Sequence, residues 1–289
     1  MGLGLGNSII KTYAPVSTAY ATKYANFNGT NAKAVTNSLN RLPSLLAGTG
    51  TVGDNCTFAM WIKATWEIPD SPADANPNNI PIFMLGSDTD VHEAFRMYYM
   101  IEDGSANNKN DLVIELRSSD PSNKKQMEFM RLHSNSSLTG STSSAHSAMW
   151  RAGNTNINTN DDGFVHIAVT RATSDWSVYW NGQAAGTLID SDTLPLASTV
   201  GNYDSFSLGY WEYADAYGKL GMRDFAIWNS ELSASDISDL YNSGVMADYT
   251  TLISEDPEVY YPLQEDGNNV APGALPVNFT LTNVTFEDI

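Results

Sequence analysis

The sequence predicts an all-β chain, a sandwich or barrel of short strands with one short helix. Three observations predict it. Short runs rich in aromatic and β-branched residues recur between clusters of turn residues, which is the spacing of sandwich and barrel strands. Asn181-Gly182 stands between two such runs and is the dipeptide best suited to a two-residue hairpin turn. Only residues 233–244 carry a helical period, and a single short helix among many strands is a staple on a sandwich rather than a layer of its own.

The elements follow in order. Residues 1–20 are Gly-rich, then small and polar around Pro15, and read as an extended arm outside the core. The sandwich is expected over 21–248. Its strand candidates are 58–66, 95–101 (ending at the turn Glu102-Asp103-Gly104), 111–117, 127–132, 164–171 and 176–180. In the helix, Ser233 is an N-cap with Asp236 three residues on, a shortened capping box. Ile237, Leu240 and Tyr241 fall on one face, and Gly244 is the natural C-cap. Residues 134–163, dominated by Ser, Thr, Asn and Gly with Trp150 as one large anchor, read as a long loop, as do residues 67–79 with Pro69, Pro72 and Pro77. Residues 249–289 hold a strand at 258–263 and an alternating run at 277–286. About 40 residues are too few for a separate core, so this segment is expected to add strands to the same sandwich.

Composition sets the limits on function. The chain has 289 residues, 42% of them hydrophobic, which is enough for a sizeable core. Its net charge is −18, with only 15 basic residues. A phosphate backbone or an anionic membrane needs a basic face that this chain cannot build, so neither nucleic acid nor membrane is an expected partner. Cys56 is the one cysteine, so no intramolecular disulfide and no cysteine-based zinc site can form. The N-terminal residues lack a charged n-region and a long apolar run, and no stretch of about 18 apolar residues occurs. No signal peptide and no transmembrane segment are therefore expected. Without a secretion signal, the Asn-x-Ser/Thr triplets at Asn28, Asn55, Asn135, Asn278 and Asn283 read as chance in an Asn/Thr-rich chain.

Several segments, in this order, resemble the laminin-G-like branch of the concanavalin A-like lectin and glucanase sandwiches, which also holds the pentraxins; the resemblance implies a two-sheet antiparallel jelly-roll sandwich with one short helix. Tyr24 to Thr30 is similar to the family's opening strand, an aromatic followed by Asn-Gly-Thr. Phe58 to Lys63 is similar to its Trp-bearing strand. Gly163 to Thr170 is similar to its His-x-Ala strand, with Phe164 where a Trp is usual, and Trp176 to Gly182 to the hairpin that follows. Leu208-Gly209, Asp224 to Asn229, and the helix from Glu231 to Gly244 complete the series, with Asp236 in place of the usual Glu. The spacing from Gly218 to Asp224 departs from the family's, so no metal role passes to Asp224. Val259 to Gly267 is similar to an element that often begins such domains; its place near the C-terminus implies either a permuted order, with a strand added to the same sandwich, or the start of a truncated second unit, and the first is the expectation. The Gly/Leu-rich leader and general style are also similar to surface proteins of tailed bacteriophages, which implies a virion surface placement.

Candidate chemistry is sparse. A retaining glucanase needs two carboxylates about 5–5.5 Å apart, written on a strand as acids at alternating positions. Glu255, Asp256 and Glu258 come closest, but Pro257 breaks the strand between them. His166 sits within a strand whose neighbours Val165 and Ile167 point the other way, and reads as a structural, hydrogen-bonding histidine. His133 and His146 fall in the Ser-rich loop; His92 carries no motif. No cofactor is required by any motif. Calcium, which takes about six to eight oxygen ligands, is the ion that the resemblance admits, with Asp161, Asp162 and Asp215 as candidate ligands. Residues 210–217 put Tyr210, Trp211, Tyr213 and Tyr217 beside two acids in an expected loop. Aromatic bodies with polar tips suit sugar stacking and equally suit a protein partner.

These features lead to a non-catalytic virion surface protein, as capsid decoration or a fibre or appendage component. It would act by protein–protein and glycan adhesion, partnered by other virion proteins, copies of itself in a homo-oligomer, or host-surface glycans. The alternatives are a free carbohydrate-binding lectin, with or without calcium, and last a polysaccharide-degrading glycosidase.

Overall fold

The computed structural model describes residues 23–36, 55–65, 79–86, 94–101, 110–117, 125–131, 163–172, 175–184, 205–212, 214–272 and 277–289. The expected arm 1–20, most of the two long loops, and His92, His133 and His146 lie outside them. In chain order the strands are β1 (Lys23–Asn28), β2 (Lys33–Thr36), β3 (Asn55–Ala64), β4 (Asn79–Gly86), β5 (Ala94–Ile101), β6 (Asn110–Arg117), β7 (Lys125–Arg131), β8 (Phe164–Ala172), β9 (Asp175–Trp180), β10 (Gln183–Ala184), β11 (Ser205–Leu208), β12 (Tyr210–Trp211), β13 (Ala216–Tyr217) and β14 (Lys219–Trp228). Helices α1 (Ala234–Tyr241) and α2 (Tyr249–Leu252) follow, then β15 (Val259–Tyr261), β16 (Thr280–Thr282) and β17 (Thr285–Asp288).

The strands form two antiparallel sheets. The first runs β10-β9-β8-β3-β14-β1-β17, with β15 joining β14 beyond a bulge; the second runs β16-β2-β11-β4-β5-β6-β7. Their inner faces meet through rings. Phe58 of the first sheet stacks on Phe83 of the second at 5.3 Å, and Phe206 of the second lies 5.6 Å from Phe225 of the first. Strand β3 shows why some runs lack clean alternation. Phe58, Met60 and Ile62 fill this central core, while Ala59 and Trp61 belong to a second core on the sheet's outer face. A strand covered on both sides must be apolar on both.

The outer core is built by the helices. Ile237 and Leu240 of α1 and Tyr249 of α2 pack with Trp61, Trp228 and Tyr260. The Ser233–Asp236 capping box forms as its sequence requires. The helix ends two residues before the expected Gly244: Asn242 takes the left-handed cap at φ 47°, and its side-chain amide donates to the Val245 carbonyl at 3.0 Å. Asparagine tolerates that conformation because its amide can bond locally. The one-turn α2, capped by Asp248, adds a second helical piece too short for any period to reveal.

His166 differs from its expected role as a hydrogen-bonding residue. Its ring is fully buried in the outer core, 5.0 Å from Trp61 and 6.0 Å from Tyr249. Neither ring nitrogen finds a partner among the described residues. The hydrogen bonds come instead from its backbone, which exchanges two with Asn181: His166 N–H to Oδ1 at 3.0 Å, and Asn181 N–H to the His166 carbonyl at 2.8 Å. That exchange fixes the hairpin turn, where Asn181 and Gly182 both hold positive φ, 50° and 73°.

The 277–286 run does not form one strand. It breaks at Asn283, φ 53°, into β16 and β17. Strand β16 pairs with β2 in the second sheet and β17 with β1 in the first. These two strands thereby close one side of the sandwich across both layers. Tyr24 Oη donates to Glu287 at 2.6 Å, and Asn26 donates to the same carboxylate. No described helix is long and apolar enough to cross a membrane.

Candidate functional site

The aromatic segment 210–217 is not an open loop. It folds into a tight hairpin, with Tyr210 opposite Tyr217 and Trp211 opposite Ala216. Alternation sends the two pairs to opposite faces. Trp211 and Ala216 face the second sheet, where the Trp211 ring meets Tyr98 edge-on at 5.0 Å and the Arg96 guanidinium at 4.4 Å. Trp211 is 7% exposed, so it anchors the hairpin and presents little surface of its own. Its packing partner is this sheet, not the helix.

Polar ties hold the hairpin down. Ser207 Oγ donates to the Tyr210 carbonyl at 2.7 Å, and Ser205 Oγ donates to the Glu212 carboxylate. Gly218 N–H donates to the Gly209 carbonyl at 2.7 Å, and the Gly218 carbonyl accepts from Gly29 N–H at 3.0 Å. A Cβ at Gly218 would sit 2.3 Å from the Pro81 carbonyl oxygen. Backbone meets backbone there, and only glycine fits. Gly218→Ala is therefore expected to destabilise the fold by about 1–3 kcal/mol and to loosen the hairpin, read as faster hydrogen exchange at Tyr210 and Trp211.

The other face carries the polar constellation. The rings of Tyr210 and Tyr217 lie 4.8 Å apart. Both phenols donate to one oxygen of Asp215, Tyr210 at 3.0 Å and Tyr217 at 2.8 Å. Asp215 is exposed and sits at the turn with φ 46°. The two phenol donors, Tyr217 first, hold its carboxyl below the usual range, and the Lys33 charge adds to this. Lys33 Nζ lies 4.2 Å over the Tyr210 ring. Tyr210 is buried between these neighbours, and its phenol is pushed upward by burial first and by Asp215 second. Tyr217 stays half-exposed. Of the expected binding residues, Tyr210 and Tyr217 come together with Asp215, Trp211 turns inward, and Tyr213 lies outside the described residues. Lys33, supplied by a strand about 180 residues upstream of the hairpin, had no sequence signal to mark it; only the pairing of β2 with β11 brings it here.

Of the expected calcium ligands, Asp161 and Asp162 lie outside the described residues. Asp215 keeps one oxygen engaged by two phenols, and the Glu212 carboxylate accepts from Ser205. Among the described residues, no group of three or more His, Cys, Asp or Glu converges as a metal site. They do not by themselves make a calcium cage. Asp224 is buried in a structural role: at a β14 bulge with φ 52°, it pairs with Arg223 at 2.8 Å and accepts from Tyr260 Oη at 2.7 Å. Glu255, Asp256 and Glu258 lie on an exposed turn, and Ser230 donates to the Glu255 carboxylate.

A family model of the concanavalin A-like lectin/glucanases superfamily matches residues 37–238. No curated protein matches the chain. A proposed carbohydrate binding protein of Bacteroides ovatus has a similar solved structure, with TM-score 0.50 and 17% identity over 93% of this chain and 60% of that one. This chain thus spans 60% of that protein's length. The native heptameric SAP-like pentraxin of Limulus polyphemus gives TM-score 0.46 and 12% identity over 92% and 96% of the two chains. The binding domain of botulinum neurotoxin serotype G gives 0.47 and 15% over 76% and 42%. At 17% identity the likeness to the Bacteroides protein is one of fold alone.

Proposed function

The chain belongs to the concanavalin A-like lectin/glucanases superfamily, and from that premise we propose that it is a non-catalytic adhesion domain that binds carbohydrate at the β12–β13 hairpin. The observation that carries this reading is the exposed Asp215, held by the phenols of Tyr210 and Tyr217 beside Lys33. A half-exposed tyrosine ring gives a sugar's C–H face something to lie on, and a fixed carboxylate accepts from its hydroxyls. The groups are held by a hairpin tied to a sheet, so little ordering is left for the ligand to drive.

The absence of chemistry in this reading has its own support. The acids that came nearest to a glycosidase pair lie on a turn around Pro257, with Glu255 tied to Ser230. His166 is sealed in the outer core, out of a substrate's reach. The finer placement, on a virion surface as capsid decoration or an appendage component and in contact with copies of itself or other particle proteins, rests on the similarity of the leader to such proteins. Mass spectrometry of purified particles tests it, and absence of the chain from them rejects it.

Affinity electrophoresis against a panel of polysaccharides in calcium-free buffer tests the binding reading. Tyr217→Ala is expected to weaken retardation by about tenfold or more, while unfolding stability stays within about 1 kcal/mol because the ring is half-exposed. Trp211→Ala is a poorer probe, since it removes an anchor under the hairpin. Unchanged retardation of Tyr217→Ala, or reducing-sugar release from any polymer of the panel, would overturn the proposal.

A further inference from the structure

The hydrogen-bond directions at the hairpin decide which glycans it can accept. Both phenol protons point inward to the same Asp215 oxygen, at 3.0 and 2.8 Å. Tyr210 is buried, and what the partly exposed Tyr217 has left to offer a ligand is therefore oxygen lone pairs. Asp215 itself is acceptor-only when ionised, and it is exposed at the turn. The neighbouring cation, Lys33, already lies 4.2 Å over the Tyr210 ring, an attraction that partly satisfies its charge. Among the described residues, the hairpin thus presents two outward oxygen acceptors, on Tyr217 and Asp215, beside an ammonium already lodged on a ring, on a chain with net charge −18.

Resting on the glycan reading above, we propose that this site selects non-acidic glycans, recognised through hydroxyl groups that donate to Asp215, and excludes sulfated and uronic polysaccharides. A hydroxyl brings a proton to an acceptor. A sulfate or carboxylate brings only lone pairs and a like charge, against which the field of the whole chain also acts. Specificity here comes from a repulsive element as much as from an attractive one.

The test compares neutral glucan, mannan and galactan with sulfated derivatives of the same polymers, by affinity electrophoresis at fixed ionic strength. The intact protein is expected to bind at least one neutral polymer about tenfold more tightly than its sulfated form. Asp215→Asn keeps the size of the side chain, suits a positive φ, and replaces an acceptor by an amide that also donates. It is expected to shrink the neutral-to-sulfated ratio by about fivefold or more without moving the thermal midpoint. Preference of the intact protein for a sulfated polymer, or an unchanged ratio in Asp215→Asn, overturns the selectivity. Neutral binding that is lost in Tyr217→Ala while the ratio in Asp215→Asn is unchanged leaves the glycan site standing and removes only this inference. Binding to no polymer of either kind removes both.

Discussion

Deleting residues 277–289 is expected to cost the protein most of its stability. Val277 and Phe279 are buried in the central core at 1% and 6% exposure, and each contributes about 1.5–3 kcal/mol through the apolar area it removes from water. Phe279 also lies 4.5 Å from the Tyr261 ring and 4.9 Å from Phe206, so its loss strips contacts from both sheets. The deletion further removes β16 from β2 and β17 from β1, together with the bonds from Tyr24 and Asn26 to Glu287. Domains are stable by only about 5–15 kcal/mol, so the loss approaches the whole. Phe279→Ala alone is expected to cost about 3–5 kcal/mol. Urea unfolding followed by far-ultraviolet circular dichroism measures both. A truncated chain with an unchanged midpoint would show that the last two strands are decoration.

Acid is expected to destabilise the protein through the buried His166 imidazole. Burial holds the His166 imidazole down to about 3, from an ordinary value of 6.5. The groups facing it are aromatic: Trp61 from β3, Tyr241 from α1 and Tyr249 from α2. The unfolded chain therefore takes up a proton near pH 6.5 that the folded chain refuses until about pH 3. Stability from this residue is complete above pH 6.5 and falls as the pH drops through that window, by about 3 kcal/mol at pH 4. Asp224 acts in the opposite sense, since burial raises its pKa, but it is common to any pair of variants that differ only at position 166. Urea unfolding of the intact chain and of His166→Phe at pH 7, 5.5 and 4 isolates the imidazole. The wild-type curve should fall more steeply than that of the variant, and parallel curves would show that the histidine is not the source.

Local chemistry was the part of the fold that could be read from the sequence. Ser233 and Asp236 start a helix whatever surrounds them, and Asn181-Gly182 sets its own turn. The strand at β3 declared itself because it is apolar on both faces. Features set by distant contacts stayed hidden. Residues 277–286 alternate smoothly, and nothing local says that Asn283 divides them between two sheets. Strand β4 contains Pro81 beside a bulge, and a proline argues against a strand until the bulge is known. At the candidate site, the aromatic cluster was visible as composition, but its sides were not. Trp211 faces inward because Tyr98 and Arg96, more than a hundred positions earlier, wait on the sheet beneath it. Once that face is fixed, Tyr217 and Asp215 must be the ones turned outward.

The division of β16 and β17 between the two sheets also has a consequence for how the chain is made. Strand β1 is flanked by β14 and β17, and β2 by β11 and β16. As the ribosome releases the polypeptide, both early strands wait without neighbours until β11 and β14 emerge. Pairings so remote in sequence form slowly, and unclaimed edges invite the wrong chain. Nascent copies growing side by side on one polysome are thus at risk of sticking to each other through β1 and β2. Overproduction at reduced temperature, where elongation and the crowding of half-made copies both slow, is the condition that favours the correct closure.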